Sequence, residues 1–324
     1  MKNIAIIGAG MTGLSLAYNL QGNNISIFDK SWRPGGRVST RKHGDLLFDH
    51  GAHYLSVNHN VNQLKQVLIK INITKVIEIN FLTNFKEKKS IKKKIIISKN
   101  GMNLIPNTIH QSLNVNSYFN SKIIKIIKNK NNLFNLYTEN DEYKNFDLIL
   151  ICIPYLQAKE LSSNFINVSD NHEPIYEPIY TVMLSYENSN NIEIDGGLNL
   201  DKNVAFYMKQ NFKFPELKNE NWVVNMSSEY TEKNLNINNY DLEKYAQSIF
   251  EKSFKIKQSP TFIKTHRWLY AQTKTSYNHL SKKNWISSKD NKVFLTGDWV
   301  LGKSLSDAWN AGLKLSHYLK ILDI

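Results

Sequence analysis

Gly8, Gly10 and Gly13 have the spacing G-x-G-x-x-G and follow the short apolar run Asn3–Ile7. Glycines at these positions permit a tight turn, a close approach of the backbone to a pyrophosphate, and close packing of a helix on a strand. Asp29 follows a second apolar run about 20 positions later, where an acid that binds a ribose hydroxyl pair is expected. The spacing therefore predicts a dinucleotide site. The alternative is a βαβ turn whose glycines serve only packing.

A second glycine pair follows in the segment Arg33–Arg37, which reads RPGGR. Glycine lets backbone amides approach a phosphate, and arginine can bind a phosphate through two parallel hydrogen bonds. A plain NAD-binding unit does not need this second contact. The two motifs together resemble the FAD-containing amine oxidase superfamily, in which a glycine doublet follows the Rossmann fingerprint. The resemblance implies that the cofactor is FAD.

The C-terminal region extends the resemblance, because an apolar run ends in Gly297 and Asp298 and residues 306–312 open a last helix. This order is similar to the second FAD motif of the superfamily. It implies that Asp298 binds the ribityl chain and that the helix dipole near Ala308 stabilises negative charge on reduced flavin. Asp307 departs from the usual small residue: an acid suits a helix N-terminus but would oppose an anionic flavin. No cysteine lies in this region, so we expect non-covalent FAD.

Three stretches resemble the renalase-like branch of the superfamily: PGGRVSTR, FDHGAHY and THRWLYA. In that branch the second stretch, which here contains His50, Gly51 and Ala52, passes close to the flavin. His50 and His53 could instead begin a metal site, but His59 is the only nearby third ligand. We therefore favour a loop that packs against the cofactor.

The third stretch has the alternation of a strand. His266, Trp268 and Tyr270 would share one face, and Arg267 and Leu269 the other. The functional interpretation is that one of these faces lines a substrate cavity. The alternative is an edge strand that buries a core tryptophan.

Two sets of candidate site residues follow from these motifs. The cofactor-binding candidates are Gly8, Gly10, Met11, Thr12, Gly13, Asp29, Lys30, Gly36, Arg37, His50, Gly51, Ala52, Ile124, Gly297, Asp298, Asp307 and Ala308. The candidates for the catalytic cavity are His53, His266, Arg267 and Trp268, and no metal ligand is assigned. Ile124 is included only because the resemblance implies a residue beside the adenine there.

The resemblance implies a renalase-like oxidase. In that family, dihydro isomers of NAD(P) give hydride to the flavin, and oxygen reoxidises it. Such a donor needs no prior deprotonation, so the absence of a strong general base is no objection; the protein supplies position and electrostatics. One alternative is oxidation of an amine or another small molecule on the same fold. A second is a binding module that has lost its flavin, as Rab GDP-dissociation inhibitors have.

The elements that must position these residues form an α/β protein with a Rossmann-type FAD-binding domain, similar to p-hydroxybenzoate hydroxylase and amine oxidases, and an inserted, mainly antiparallel sheet domain for the substrate. We assign residues 1–60, 100–154 and 282–324 to a discontinuous FAD-binding domain, and residues 61–99 and 155–281 to the substrate domain.

Hydrophobic periodicity predicts the individual elements. The expected strands lie at 25–28, within 46–54 where a strand runs into a glycine turn, at 75–97 with an interruption at the lysine run 86–94, and at 122–128, 133–138, 146–153, 179–186, 204–208, 222–227, 260–270 and 293–298. The expected helices begin after Gly10, at Val61, near Leu104, at Tyr240 and at Ser306.

Composition limits the classes of partner. The 324 residues carry a formal charge of +13, but lysine, asparagine and isoleucine are abundant throughout, and no nucleic-acid-binding signature accompanies the charge. We expect a small-molecule substrate, with a reduced nicotinamide dinucleotide as the candidate, and no nucleic acid. No apolar run has membrane-spanning length and the first strand follows Met1 directly, so we expect a cytoplasmic protein. The oligomeric state stays open.

Overall fold

The structure is a computed structural model that describes residues 1–57, 62–167 and 173–323. Its strands are β1 (Asn3–Ile7), β2 (Asn24–Phe28), β3 (Thr40–His43), β4 (Leu46–Asp49), β5 (Leu55–Ser56), β6 (Thr74–Asn84), β7 (Lys89–Ser98), β8 (Asn116–Tyr118), β9 (Lys125–Lys128), β10 (Phe134–Tyr137), β11 (Glu142–Phe146), β12 (Leu148–Ile151), β13 (Ile175–Tyr186), β14 (Gly196–Leu198), β15 (Val204–Lys209), β16 (Glu220–Met226), β17 (Phe262–Thr275), β18 (Ile286–Ser287) and β19 (Val293–Leu295). Its helices are α1 (Met11–Asn19), α2 (Asn62–Ile71), α3 (Leu104–Gln111), α4 (Tyr155–Ser162), α5 (Ser228–Lys233), α6 (Asn239–Phe254), α7 (Tyr277–Ser281), α8 (Asp298–Leu301) and α9 (Leu305–Ile321).

The first sheet has the strand order β18-β19-β12-β1-β2-β8, and its pairs are parallel except β18–β19. The strand β12 is buried along its whole length between β1 and β19. A parallel strand covered on both faces is apolar throughout, which is why the run 146–153 predicted a central strand. The Rossmann-type sheet of the predicted fold is confirmed.

The helices α1 and α9 cover this sheet and pack tightly against each other. A Cβ atom at Gly312 would lie 2.5 Å from the carbonyl oxygen of Thr12, so only glycine permits this approach. The hydroxyl of Thr12 donates a hydrogen bond of 2.8 Å to the carbonyl oxygen of Ala308. The beginnings of the two helices are therefore fixed relative to each other.

The second sheet has the order β17-β13-β16-β15-β14-β6-β7-β5, and its pairs are antiparallel except β14–β6. Leu242, Ala246 and Phe250 of α6 pack on one face of this sheet. On the opposite face, Phe48 of β4 contacts Met183 and Val223. The mainly antiparallel second domain of the predicted fold is confirmed, and the β3–β4 hairpin lies against it.

Several elements differ from the sequence predictions. The expected strands at 122–128 and 133–138 are shortened to β9 and β10, which pair with β11 in a separate antiparallel sheet. The strand β14 and the helices α4, α5, α7 and α8 are short, and their patterns gave no periodic signal. The strand β5 already pairs with β7 before the expected domain boundary at residue 61. Val61 and His59 lie outside the described residues.

None of the helices in the described ranges is both long and apolar enough to cross a membrane.

Candidate functional site

The three glycines of the first motif are explained by different physical requirements. Gly8 has φ of +107°, and a Cβ atom there would lie 2.8 Å from the carbonyl oxygen of Cys152. A Cβ atom at Gly13 would overlap the carbonyl oxygen of Gly8. A Cβ atom at Gly10, in contrast, would meet no heavy atom within 4 Å. Packing therefore explains Gly8 and Gly13, whereas Gly10 opens a space at the beginning of α1 that suits a phosphate-bearing cofactor.

The glycine doublet lies directly over this space. The Gly35 N–H donates to the carbonyl oxygen of Ala9 at 2.9 Å. Gly36 has φ of +54°, in the left-handed region that favours glycine, and its Cβ position is 3.7 Å from the Cα atom of Gly10. The two glycine loops thus form one backbone cradle. Met11 and Thr12, which begin α1, are buried beneath it.

Asp29 links the end of β2 to the first glycine loop. Its Oδ2 atom accepts a hydrogen bond from the Ala9 N–H, and its Oδ1 atom accepts one from the Ser31 N–H, both at 2.8 Å. Each carboxylate oxygen retains a second lone pair, so these bonds leave acceptors for ribose hydroxyls. The neighbouring Lys30 is exposed.

Arg37 and Asp298 join the two cofactor motifs. Their guanidinium Nη2 and carboxylate Oδ1 atoms are 2.5 Å apart. The Nη1 atom of Arg37 donates to the carbonyl oxygens of Tyr270 and Ala271 on β17, at 2.9 and 3.2 Å. Burial would lower the pKa of Arg37, but the adjacent Asp298 carboxylate outweighs it and raises that pKa. Asp298 follows Gly297 at the start of α8 and is only 7% exposed.

The segment His50–Ala52 packs on the backbone of Arg37, directly after the glycine doublet. The Ala52 N–H donates to the carbonyl oxygen of Arg37 at 2.9 Å, and a Cβ atom at Gly51 would overlap that same oxygen. This contact carries the loop from the cofactor cradle to the second sheet.

Asp307 closes the N-terminus of α9 through a capping box. The Ser304 hydroxyl accepts from the Asp307 N–H at 3.0 Å, while Asp307 Oδ2 accepts from the Ser304 N–H at 2.9 Å and from its hydroxyl at 2.7 Å. Capping of the N-terminus of α9 thus explains why position 307, which departs from the superfamily pattern, is an aspartate.

Ile124 precedes β9 and is 47% exposed. Its N–H donates to the carbonyl oxygen of Tyr137 at 2.8 Å. The neighbouring Ile123 is the buried one, in the core cluster that includes Ile7 and Phe28.

Three rings, which we call the aromatic cluster, meet beside the cradle: His50, His266 and Trp268. The His50 and Trp268 rings stack with centroids 5.4 Å apart, and His266 meets them edge-on at 5.0 and 4.1 Å. The indole Nε1–H of Trp268 donates to the carbonyl oxygen of His50 at 3.0 Å. A hydrogen bond of the His50 ring with the backbone of Phe48 opposes the lowering of the His50 pKa.

Arg267 lies on the other face of β17. Its Nη1 atom donates to the carbonyl oxygen of Leu235, between α5 and α6, at 2.9 Å. The structure therefore does not bring Arg267 to the aromatic cluster. The cation that does reach it is Arg41 of β3, whose Nη2 atom is 3.4 Å from Nδ1 of His266. No sequence motif points to Arg41, because none connects a hairpin residue with a strand more than 200 residues later.

The aromatic cluster is held in its neutral form. Burial lowers the pKa of His50 to about 3, with further contributions from His266 and Arg41. Burial and then Arg41 lower the pKa of His266 to about 4. Both imidazoles are uncharged near neutral pH, so they can only donate or accept a hydrogen bond or stack.

His53 lies in a hydrogen-bond chain next to the cluster. Its Nδ1 atom is 2.9 Å from the carbonyl oxygen of Asp49, and its Nε2 atom is 3.0 Å from the Asn225 amide nitrogen. The carbonyl oxygen of Asp49 can only accept a hydrogen bond, so Nδ1 of His53 donates and Nε2 accepts from the Asn225 amide. His53 therefore carries its proton on Nδ1. Burial and then the charge of Lys213 lower its pKa to about 3.

Lys213 and Asp49 form a buried ion pair beneath His53. Their Nζ and Oδ2 atoms are 3.1 Å apart, and the Lys213 ammonium also donates to the carbonyl oxygen of His53 at 2.6 Å. Asp49 Oδ1 accepts from the Thr40 hydroxyl at 2.6 Å and from the Met102 N–H at 2.9 Å. Neither charge was anticipated, since their positions in the sequence are about 160 residues apart.

Metal ligation finds no support in the described ranges, where no three side chains of His, Cys, Asp or Glu meet in a way that could hold an ion. The candidate third ligand His59 lies outside those ranges.

Two protein-family models match this sequence. A model described as an NAD(P)-binding Rossmann-like domain matches residues 6–70. A model described as flavin containing amine oxidoreductase matches residues 75–316, which is about three quarters of the chain.

Individual curated proteins are similar only over short stretches. Protoporphyrinogen oxidase 2 of Arabidopsis thaliana is 35% identical over 57 residues, which is 17% of this chain and 11% of that protein. L-amino-acid oxidase of Crotalus adamanteus is 36% identical over 75 residues, 22% of this chain and 14% of that protein. The matched stretches thus span only a small fraction of these relatives' own length.

Solved structures are similar over nearly the whole chain. A candidate protoporphyrinogen oxidase from Exiguobacterium sp. 255-15 superimposes with a TM-score of 0.79 at 11% identity, over 99% of both chains. Wild-type putrescine oxidase bound to putrescine gives 0.72 at 11% identity, again over 99% of both. An oxidoreductase from Methanosarcina mazei gives 0.73 at 10% identity, over 97% of this chain and all of the other. At such identities the likeness shows the fold.

Proposed function

Because this chain belongs to the flavin-containing amine oxidoreductase family, we propose that it is an FAD-dependent, renalase-like oxidase. It takes hydride from dihydro isomers of NAD(P) and passes the electrons to oxygen. Bound flavin would supply the two-electron acceptor. The protein's own residues bind the cofactor, orient the donor ring and keep the site neutral or positive.

The residues at the cradle fit FAD held without a covalent bond. The open space at Gly10 would receive the pyrophosphate at the beginning of α1, and the free lone pairs of Asp29 would accept hydrogen bonds from the ribose. Arg37 and Asp298 lie where the two motifs meet and would hold the chain between phosphate and ring. Ala308, one turn into α9, brings a second helix N-terminus to the same region. The fit at Gly10 supports the cofactor proposal most directly, because no atom of the described residues lies within 4 Å of that Cβ position.

The charges around the aromatic cluster support the dinucleotide over an amine. Arg41 lowers the pKa values of His50 and His266 and forms no ion pair among the described residues, whereas the charge of Lys213 beside His53 is offset by Asp49. A protonated amine would be repelled by this arrangement. The dihydronicotinamide ring is neutral and the phosphates of the dinucleotide are anionic, so this substrate gains from the same charge.

The aromatic cluster would position the donor ring. A flat ring can stack against Trp268 or His50. No proton has to leave the donor before hydride transfer, so neutral histidines suffice. Donor and acceptor atoms must approach to about 3–3.5 Å, and an error of about 1 Å can cost a hundredfold in rate.

Anaerobic stopped-flow spectroscopy tests the proposal. Dihydronicotinamide dinucleotides reduced at ring position 2 or 6 should bleach the flavin quickly, and the ordinary 4-dihydro forms slowly. Arg41→Gln should raise KM for the fast isomers. Arg267→Gln removes the same charge from the opposite face of β17 and serves as the matched control.

Other outcomes would favour the alternatives. Rapid bleaching by an amine, with all dihydronicotinamides equally slow, would indicate an amine oxidase. A colourless protein that cannot be reconstituted with FAD would remove the enzyme proposal and leave a binding module on the same fold.

A further inference from the structure

A groove separates the β3–β4 hairpin from the edge strand β17, outside the aromatic cluster. Its lining residues, which we call the basic groove, are Arg41, Lys42, His43, Phe262, Ile263 and Lys264. The groove is open to solvent and offers a space of about 500 Å³. None of the proposed cofactor or catalytic residues accounts for it.

The charge of this groove is uncompensated. Arg41, Lys42 and Lys264 contribute three cations, and no carboxylate is among the lining residues. Across the described part of the chain, none of these three side chains forms an ion pair, whereas Lys128, Lys159 and Lys209 elsewhere do. Cations that line a groove without a protein counterion are suited to an anionic ligand.

Aromatic surface accompanies this charge. The His43 and Phe262 rings have centroids 4.6 Å apart, and Phe262 stacks on the buried Phe48 at 5.6 Å. Phe262 is therefore fixed from below, while part of its surface remains open to the groove. A nucleotide can bind to both features at once, because its base stacks on a fixed aromatic side chain while its phosphates contact the cations.

One face of β17 connects the groove to the aromatic cluster. Phe262, Lys264, His266 and Trp268 alternate onto the face that meets β4 and His50. Thr265 and Arg267 point the other way, where they bind Glu243 of α6 and the carbonyl oxygen of Leu235. Arg41 lies at the junction, since it lines the groove and approaches His266. At about 3.3 Å per residue, Lys264 is roughly 13 Å from Trp268 along this face.

We propose that the basic groove is a binding subsite for the phosphate-bearing second nucleotide of the substrate, whose reacting ring lies at the aromatic cluster. This inference rests on the proposed function, because it extends the same substrate along β17. The cations bind its phosphates, and Phe262 contacts its base.

The test compares two donors of the same chemistry. One is a 6-dihydronicotinamide dinucleotide, and the other is the corresponding mononucleotide, which lacks the second nucleotide. The double variant Lys42→Gln/Lys264→Gln should raise KM for the dinucleotide roughly three- to thirtyfold, as expected for two partly exposed charges. The rise for the mononucleotide should be much smaller. Lys244→Gln on α6 makes the same kind of charge change behind the sheet and should leave the ratio of the two KM values unchanged.

A binding measurement separates failure of the subsite from failure of the function. Calorimetry with ADP on FAD-loaded protein keeps the cofactor's own nucleotide site filled. ADP should bind at low salt, more weakly at 0.5 M salt because of screening, and more weakly to the double variant. If ADP binding depends on the lysines but no isomer bleaches the flavin, the subsite proposal stands and the proposed reaction is wrong. The subsite proposal would be wrong if the double variant raised KM equally for both donors, or if it bound ADP as tightly as the wild type.

Discussion

The Nζ atom of Lys213 lies 3.1 Å from Oδ2 of Asp49, and the two side chains are 0% and 1% exposed. Burial lowers the pKa of Lys213, and the Asp49 carboxylate opposes that shift. Through this pair and its hydrogen bonds, the loop after β15 holds the carbonyl oxygen of His53 and, through Asp49, the start of α3. The pair thus fixes the segment that runs from the cofactor cradle to the hydrogen-bond chain of His53.

Removing one partner of this ion pair should strongly destabilise the protein. Lys213→Met leaves Asp49 charged and buried, and breaking a buried pair in this way costs about 3–5 kcal/mol. Urea unfolding should show the loss as a lower midpoint with an unchanged slope. Lys233→Met removes a lysine of the exposed pair with Glu229 and should leave the midpoint unchanged. An equally stable Lys213→Met protein would mean that the pair is not buried as described.

Two glycine substitutions should separate cofactor binding from folding. In Gly10→Ala the new Cβ atom enters open space, so the apoprotein should fold with nearly the stability of the wild type while FAD binding weakens. In Gly13→Ala the Cβ atom meets the backbone of Gly8, so the fold itself should be destabilised. Thermal unfolding of apoprotein and fluorescence titration with FAD give the two readouts. If Gly10→Ala binds FAD normally, the space at Gly10 does not hold the pyrophosphate.

Asp298→Ala should weaken FAD binding by roughly 10- to 150-fold, since a charge-assisted hydrogen bond contributes about 1.5–3 kcal/mol and 1.4 kcal/mol is tenfold. The ion pair with Arg37 adds a further expectation. Arg37→Met and Asp298→Ala should be non-additive in FAD affinity, because each removes the other's partner. Glu229→Ala removes an exposed carboxylate and provides the control. Strict additivity would contradict coupling between the two motifs.

Stability should fall in mild acid because the site histidines are buried in their neutral form. The pKa of His50 is lowered from 6.5 to about 3 in the folded protein. Between those values the unfolded chain binds a proton that the folded chain cannot, so this contribution is fully present above pH 6.5 and is lost as the pH falls. The loss is about 1.4 kcal/mol per pH unit for each such histidine and levels off near pH 3.

His50→Phe should make this pH dependence shallower by that amount. The substitution keeps a ring against Trp268, and the Trp268 hydrogen bond goes to the backbone of residue 50, so it can persist. Urea unfolding of both proteins at several pH values between 4.5 and 7 measures the slope. Parallel curves for the wild type and the variant would show that His50 is not held neutral.

The sequence predicted the cofactor cradle because its signals are local. Gly8, Gly13 and Asp29 act within a single βαβ unit, so their spacing encodes their contacts. Lys213 carried no such signal, since its partners come from a segment about 160 residues earlier. The role of Asp307 was available in principle: Ser304 three positions before it completes the spacing of a capping box. Asp307 departs from expectation only when it is compared with the cofactor motif alone.

The parallel contact between β14 and β6 affects how the chain can fold during synthesis. The N–H of Asn80 in β6 pairs with the carboxylate of Asp195, 115 residues further along the chain, and β14 follows immediately. A ribosome must therefore release the β6–β7 hairpin long before the strand that covers its open edge. An uncovered edge invites pairing with other nascent chains. Lys89 and the run Lys92–Lys94 of β7 place positive charge on this hairpin. Repulsion between these charges would oppose pairing of two nascent hairpins until β14 is synthesised.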